Sequence, residues 1–311
     1  MLTFLKSLVI ALALVSVASG QTVKIIVPWG VGGGNDTVGR ILAKHLNDSS
    51  VTNNYVVENR PGAGSVLGTT HVVKSPADGK TLLVNEITGL VFSTHELQTL
   101  PYDWQQDLIP VAYLGTLLPM LLVVNSSSNI KSVKELIELA KTRPISFGSP
   151  GQGTAQHIFG SMLGGMTRTE MIHIPYKAQP QVTQDLLSRQ IDFVFSTQQT
   201  VLPFIESGKF TALAVVSDQS VNGIPSITSL GYPQFANRDR FFGVWAPAGT
   251  PPETVREIQQ TIHRLMQGAL REDLVKAHVI SPKSIIPGDL AKEQTRIANS
   301  YKQIYRDYNI K

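Results

Sequence analysis

The chain has 311 residues, enough for one large or two medium-sized domains, each with its own core. It contains no cysteine, which excludes disulfides, thiolate metal ligands, a lipidated N-terminal cysteine and cysteine nucleophiles. The formal net charge of +4 suits a small anionic ligand, but it is too small and too evenly spread for a protein that binds nucleic acid.

Residues 1–20 have the pattern of a secretory signal peptide. Lys6 precedes an apolar run over residues 8–18, and the small residues Ala18, Ser19 and Gly20 place a cleavage site before residue 21. The run is too short to span a bilayer, and no later segment reaches the ~18 unbroken apolar residues of a membrane helix. We therefore expect a soluble mature protein outside the cytoplasm, with a net charge of +3 once Lys6 is removed.

The first predicted unit is a strand, a glycine-rich turn and a helix. Residues 23–27 form a β-branched strand, and the helix over 36–46 has one apolar face. The turn lets the backbone approach a ligand, because it contains Gly30, Gly32, Gly33 and Gly34. The first amides of the helix lack partners and carry a partial positive charge, which favours an anion site. The same glycines would also suit a tight turn that binds nothing.

The next segment continues the alternation of strands and helices. A strand over 55–58, a second glycine-rich turn over 59–65 and a helix from Val66 precede a third strand over 81–84. This spacing predicts a parallel sheet with helices on its faces, and such sheets bind ligands at the carboxyl edge. Asn85 and Glu86 follow the third strand at that edge. Glu86 either faces the ligand, where it disfavours a nearby carboxylate, or is a solvated loop charge.

The second half repeats the opening pattern. Two strand-like pieces within 109–124 take the chain into a second domain, and a capping box at Ser132 and Glu135 opens a helix. A strand over 145–148, a glycine-rich loop over 149–153 and a helix from Thr154 follow. Two anion-binding loops roughly 120 residues apart could therefore face each other across a cleft.

Further strands and helices complete the second half and return to the first. Strands over 171–174 and 191–195 end in polar residues, which either select a ligand or are solvated; these are Tyr176, Lys177, Ser196, Thr197 and Gln198. A strand over 211–216 precedes a returning strand over 241–245. Long helices are predicted from about 251 and over about 290–308.

The sequence largely lacks the motifs that are typical of enzymes. The first glycine-rich turn breaks the dinucleotide fingerprint at its third glycine, and no loop has the Gly-Lys-Ser/Thr of a P-loop. Ser149 lacks the first glycine of a nucleophile elbow. The seven histidines show no paired metal spacing. We therefore predict no catalytic residue, no metal and no cofactor.

Seven segments carry a resemblance to a known family along nearly the whole mature sequence. The first reads Ile-Val-Pro-Trp-Gly-Val-Gly-Gly-Gly-Asn-Asp over 26–36, and the others are 57–64, 76–83, 100–103, 151–157, 174–177 and 246–251. Jointly they are highly specific. The chain resembles the Bug family, the periplasmic solute-binding receptors of tripartite tricarboxylate transporters.

The resemblance implies an α/β fold of the two-domain Venus-flytrap type (type II-like), each domain a mostly parallel sheet flanked by helices. Domain 1 would comprise 21–122 and 243–311, and domain 2 would comprise 123–242. The implied function is a monomeric periplasmic receptor that captures a di- or tricarboxylate, an acidic amino acid or an aromatic acid for integral membrane transporter subunits. The alternative is a secreted α/β enzyme that acts on a carboxylated substrate.

The resemblance also assigns ligand-binding residues in both domains. The first wall consists of Trp29, Gly30, Gly32, Gly33, Gly34, Asn35 and Asp36, to which the strand-end position adds Asn85 and Glu86. The second consists of Ser149, Gly151, Gly153, Thr154 and His157, with Tyr176, Lys177, Ser196, Thr197 and Gln198. His157 has an alternative interpretation, a hydrogen bond to its own loop. Trp29, Asn85, Glu86 and Ser196 depart from the common pattern, so the ligand cannot be inherited by analogy.

Overall fold

The computed structural model describes residues 21–50, 52–91, 100–236, 238–284, 288–308 and 310. The predicted signal peptide over 1–20 lies outside these residues. Among the helices that are described, none combines the length and the apolar character that crossing a membrane requires.

Five strands form the first sheet. Its order is β2 (Asn53–Asn59), β1 (Gln21–Val27), β3 (Thr81–Glu86), β10 (Phe241–Pro247) and β4 (Leu108–Thr116). Strand β1 pairs in parallel with β2 and β3, whereas β10 is antiparallel to both β3 and β4.

Helices cover both faces of this sheet, because its central strands are apolar on both sides. One face packs against α1 (Gly34–Ser49), α8 (Pro252–Met266) and α9 (Ala269–Lys276). The other packs against α2 (Val66–Val73), α3 (Ile87–Val91) and α10 (Leu290–Tyr308). All six residues of β3 are buried, as a strand covered on both faces requires.

The second sheet has the same plan. Its order is β7 (Met171–Pro175), β6 (Ile145–Ser149), β8 (Phe193–Ser196), β5 (Leu121–Asn125) and β9 (Phe210–Val215), with β5 antiparallel to its two neighbours. The helices of this half are α4 (Val133–Thr142), α5 (Ala155–Thr167), α6 (Gln179–Leu187) and α7 (Gln198–Glu206). Ser132 caps α4 as predicted, since its Oγ accepts a hydrogen bond from the amide of Glu135 at 3.2 Å.

The two-sheet α/β fold is confirmed, and both sheets are mixed: in each, four strands run in one direction and one, β10 or β5, runs against its two neighbours. Each has two parallel and two antiparallel pairings. The antiparallel strands β5 and β10 are those that follow a passage between the sheets, at residues 117–120 and 216–240. No α-helix is described in either passage, so neither strand belongs to a βαβ unit that would force it to be parallel.

Helix α10 joins the two halves. It packs against α5 in the second half and against α3 and β4 in the first. The fully buried ring of Tyr301 stacks on Phe159 of α5 with a centroid distance of 6.3 Å. A single apolar cluster therefore extends from the first sheet to the second. The two passages lie beside the predicted domain boundaries at 122/123 and 242/243.

Candidate functional site

The parallel strands of both sheets end at a cleft between the two halves. Two cavities lie in it and share Trp29 and Pro150 in their walls. The large cavity, of about 470 Å³, is lined by Trp29, residues 61–65, Pro150, Gly151 and residues 175–177. The small cavity, of about 50 Å³, is lined by Trp29, Gly30, residues 33–35, Glu86, Pro150, Gln156, Ala178, Gln179, Thr197, Thr200 and Phe242.

The loop between β1 and α1 is held in shape by Asp36. Its buried carboxylate accepts hydrogen bonds from the Gly32 amide at 3.0 Å, Arg40 Nε at 3.0 Å and Asn59 Nδ2 at 2.9 Å. Burial alone would raise the pKa of Asp36, but the hydrogen bonds from Arg40, Gly32 and Asn59 outweigh it and lower that pKa. Asp36 is thus engaged with the loop, and Gly32, at φ +87°, has a backbone conformation that favours glycine.

Helix α1 begins at the small cavity. Gly33 is its N-cap, and the Thr37 amide makes a first-turn bond to the Gly33 carbonyl at 3.0 Å. The amides that precede Thr37 have no carbonyl within the helix to bind, and the helix dipole adds a partial positive charge there. Asn35 fixes this turn to β3, because its Oδ1 accepts a hydrogen bond from the Glu86 amide at 2.9 Å. The turn can therefore hold an anion.

The indole of Trp29 is half-buried and forms part of the wall of both cavities. Its Nε1 donates to Asn85 Oδ1 at 2.7 Å, and Asn85 Nδ2 donates to Ser65 Oγ at 3.4 Å. Asn85 is fully buried and lines neither cavity. Through this hydrogen bond, the side-chain amide of Asn85 orients the Trp29 indole in the cavity wall.

Glu86 lines the small cavity but its charge is balanced. Its Oε1 accepts hydrogen bonds from Arg240 Nη1 at 2.8 Å and Thr88 Oγ1 at 2.5 Å. Both Glu86 and Arg240 are buried. The interpretation of Glu86 as a solvated loop charge is therefore wrong. Glu86 also does not present an uncompensated negative charge to the ligand. Arg240 lies 154 residues after Glu86 in the chain, so the sequence alone could not identify it as the partner of Glu86.

Most polar groups of the loop after β6 bind the loop itself. Thr154 Oγ1 donates to the Gly151 carbonyl at 2.8 Å and accepts from the His157 amide at 3.3 Å, which caps α5. The Gly153 amide donates to His157 Nδ1 at 3.1 Å. His157 thus has the alternative role that we considered for it, and Pro150 and Gly151 are the loop residues that line the cavities.

Ser149 and His173 have the separation of a nucleophile and its base, with 2.6 Å between Oγ and Nε2. However, Ser149 is fully buried, donates to the Gly151 carbonyl at 2.8 Å and lines neither cavity. Burial first, and then the neighbouring His157, whose ring lies 4.0 Å away, lower the pKa of His173 to about 3. In the described part of the chain no carboxylate hydrogen-bonds to His173. This pair is not placed for catalysis on a bound ligand.

Of the remaining predicted residues, some line the cavities and others support the cavity walls. Tyr176 and Lys177 line the large cavity, and Thr197 lines the small one. Burial first, and then the hydrogen bond to Asp185 at 2.7 Å, raises the pKa of the Tyr176 hydroxyl. Ser196 Oγ accepts from Gln179 Nε2 at 3.3 Å. Gln198 lines neither cavity, because its Nε2 donates to the Pro119 carbonyl at 2.9 Å in the first passage between the sheets.

Sequence reasoning missed one wall of the large cavity, the turn over residues 61–65. Its four residues from Gly62 to Ser65 all have positive φ, including Ala63 at +48° and Ser65 at +85°. Such conformations are uncommon for residues other than glycine and are often found at ligand sites. The glycine-rich sequence was visible as a turn but was not assigned to the site. Gln156 lies in the motif over 151–157 but was not assigned to the site, and two other missed residues, Gln179 and Phe242, belong to no motif.

The two walls touch in this structure. A Cβ atom placed on Gly30 would lie 2.8 Å from Ala178 Cβ, so glycine is needed for this close approach. Gln199 Nε2 on α7 donates to Thr37 Oγ1 on α1 at 2.8 Å. The cleft is therefore closed.

A closed cleft between two α/β halves, with a helix N-terminus at its base, defines the two-domain class of solute-binding protein. The chain belongs to the tripartite tricarboxylate transporter family receptors (TctC), whose model matches residues 38–290. It is 32% identical over 282 residues to Protein BugT of Bordetella pertussis, covering 89% of this chain and 84% of that protein. The predicted family is confirmed, and its members are receptors rather than enzymes.

Solved structures agree with this fold. R. palustris Rpa4515 with adipate superposes with a TM-score of 0.85 at 24% identity and covers 93% of this chain and 98% of its own. The periplasmic binding protein BugD gives a TM-score of 0.82 at 25% identity, covering 94% and 98%. Both likenesses extend over the two halves and the cleft between them.

Proposed function

We propose that this protein captures a small organic carboxylate in the cleft and delivers it to the membrane subunits of a tripartite tricarboxylate-type transporter. The observation that carries the proposal is the N-terminus of α1, which opens on a small cavity enclosed by residues of both halves. Backbone amides and a helix dipole favour an anionic group of the ligand. They do not exclude neutral polar groups elsewhere in the same ligand. The family match and the adipate named for Rpa4515 support a carboxylate.

The direct contacts that we propose are the predicted residues in the cavity walls. These are Trp29, Gly30, Gly33, Gly34, Asn35, Glu86, Gly151, Tyr176, Lys177 and Thr197. The other predicted residues support those walls: Gly32, Asp36, Asn85, Ser149, Gly153, Thr154, His157, Ser196 and Gln198. The mature chain acts in the periplasm as a monomer after removal of residues 1–20, and its domains are 21–122 with 243–311 and 123–242.

Thermal unfolding with a panel of carboxylates and their uncharged amides tests this function. A carboxylate at a hundredfold excess over its Kd should stabilise the protein by about 2.7 kcal/mol, and the matched amide should not. Gly33→Val should abolish the effect, because its methyl groups would enter the small cavity. At Gly33, where φ is −88°, an added Cβ meets no atom closer than 3.9 Å, so the fold should tolerate the change.

Gly288→Val is the matched control, since Gly288 is exposed, lies outside both cavities and a Cβ there meets nothing within 4 Å. Gly153→Val is unsuitable, because Gly153 has φ +75° and its amide is bound to His157. Stabilisation by amides as strongly as by carboxylates, or full binding by Gly33→Val, would contradict the proposal.

A further inference from the structure

The uncharged polar side chains that line the large cavity are already bound within the protein. Trp29 Nε1 donates to Asn85 Oδ1 at 2.7 Å, and Ser65 Oγ donates to the Gly89 carbonyl at 2.5 Å. The Tyr176 hydroxyl donates to Asp185 at 2.7 Å. A ligand could recruit these donors only by breaking partly or fully buried hydrogen bonds. These walls therefore present mainly carbon to the cavity: the aromatic rings and the prolines at 61, 150 and 175.

The two cavities together contain one uncompensated formal charge. Lys177 is the charged residue in the lining of the large cavity, and in the described part of the chain no carboxylate lies within 4.0 Å of its Nζ. The small cavity has Glu86, whose charge Arg240 balances at 2.8 Å. The ligand therefore meets one cation and the partial charge at the start of α1.

This balance favours one anionic group. A first carboxylate can be held in the small cavity by the amides at the start of α1. A second carboxylate inside the large cavity would lose hydration, and the one cation there, Lys177, is exposed to solvent and replaces little of it. An apolar group there displaces water from carbon-rich walls, which is favourable.

Building on the proposed function, we propose that the preferred ligand is a monocarboxylate with an apolar body, either a ring or a hydrocarbon chain. Its carboxylate lies at the first turn of α1 and its body lies in the large cavity beside Trp29 and Tyr176. The size of that cavity, about 470 Å³, falls within the range of small-molecule sites, roughly 300–1,000 Å³.

Calorimetric titration with two matched ligand pairs tests the inference. Hexanoate and adipate share a six-carbon chain, benzoate and terephthalate share a ring, and each pair differs by one carboxylate. The monocarboxylate of at least one pair should bind about tenfold or more tightly than its partner. Equal or tighter binding of the dicarboxylate in both pairs would overturn the inference and leave the proposed function standing. Failure of every carboxylate, citrate included, to bind would overturn both.

A second cation in the cavity wall tests the charge balance directly. Pro175→Lys places a positive charge at an exposed position of the large cavity, and Gln219→Lys places the same charge on an exposed residue outside both cavities. Pro175→Lys should narrow the ratio of monocarboxylate to dicarboxylate affinity by about threefold, whereas Gln219→Lys should leave it unchanged. An unaltered ratio in Pro175→Lys would contradict the inference.

Discussion

Two stacked histidines, His157 and His173, lie beneath the glycine-rich loop over 149–153 and make the protein sensitive to acid. Burial lowers the pKa of His157 to about 4 and that of His173, which also faces His157, to about 3. His157 must be unprotonated at Nδ1 to accept the Gly153 amide. The loop in this conformation therefore requires a neutral His157.

The free energy of unfolding should consequently fall in mild acid. The unfolded chain gains protons on these histidines as the pH drops through about 6.5, while the folded chain gains them only near pH 4 or below. The stability is fully present above pH 6.5, and up to roughly 1.4 kcal/mol per histidine is lost for each pH unit below it. Urea unfolding between pH 7.5 and 5 measures this loss.

The control for this titration is an exposed histidine. His157→Gln should show a weaker pH dependence than the unsubstituted protein, and His263→Gln, on the exposed side of α8, should retain the full dependence. Identical pH profiles for all three proteins would contradict the role given to the buried pair.

At the scale of elements, the pair of Glu86 and Arg240 ties β3 to both passages between the halves. Arg240 lies at the end of the second passage, and its Nη2 also donates to the Leu118 carbonyl of the first at 3.4 Å. Both charged groups are buried, so loss of one leaves the other without an opposite charge in a poorly hydrated place. The pair therefore holds these two passages, the hinge between the halves, beside the small cavity that Glu86 lines.

Glu86→Gln should thus act on stability. We expect a loss of about 3–5 kcal/mol in the free energy of unfolding, measured by urea denaturation. Glu138→Gln is the matched control, because it breaks an exposed pair with Lys141 on α4, and it should cause no measurable change. A change as small in Glu86→Gln as in the control would show that the hinge does not depend on this pair.

Periodicity predicted most elements because each buried face leaves a local pattern. The apolar face of α1, the capping box at Ser132 and the run in β6 are examples that the structure confirms. The short helix α9 was missed, since its eight residues give little more than two turns of pattern. The pairing directions of β5 and β10 were also missed, because they depend on contacts distant in sequence. For the same reason, the sequence could not predict that Arg240 belongs to the site.

At the scale of the whole molecule, the closed cleft is stabilised by contacts between the two halves as well as by any ligand. Gln199 bridges α7 and α1 through Thr37 at 2.8 Å, and glycines at 30 and 34 let the walls approach. The sequence predicted the loops after β1 and β6 as walls of a cleft, but it did not assign the turn over 61–65 to the site and could not show that the walls touch. Their separation depends on the relative placement of the halves, which no local pattern encodes.

Gln199→Ala should shift the ligand-free protein toward an open cleft. Loss of one partly buried hydrogen bond, about 1 kcal/mol, changes the open-to-closed ratio by about fivefold. Small-angle X-ray scattering should show a larger radius of gyration, and ligand affinity should weaken by no more than the same factor. Gln260→Ala, at an exposed position of α8, should change neither quantity. An unchanged radius in Gln199→Ala would mean that this bridge does not contribute to closure.

The central claim is that a carboxylate is held between the two halves with α1 at its base. Amide hydrogen exchange, with and without a carboxylate that stabilises the protein thermally, tests it most directly. We predict protection in residues 29–37 of the first half together with residues 149–157 and 175–180 of the second. Protection confined to one half, or found only at segments distant from the cleft, would contradict the account.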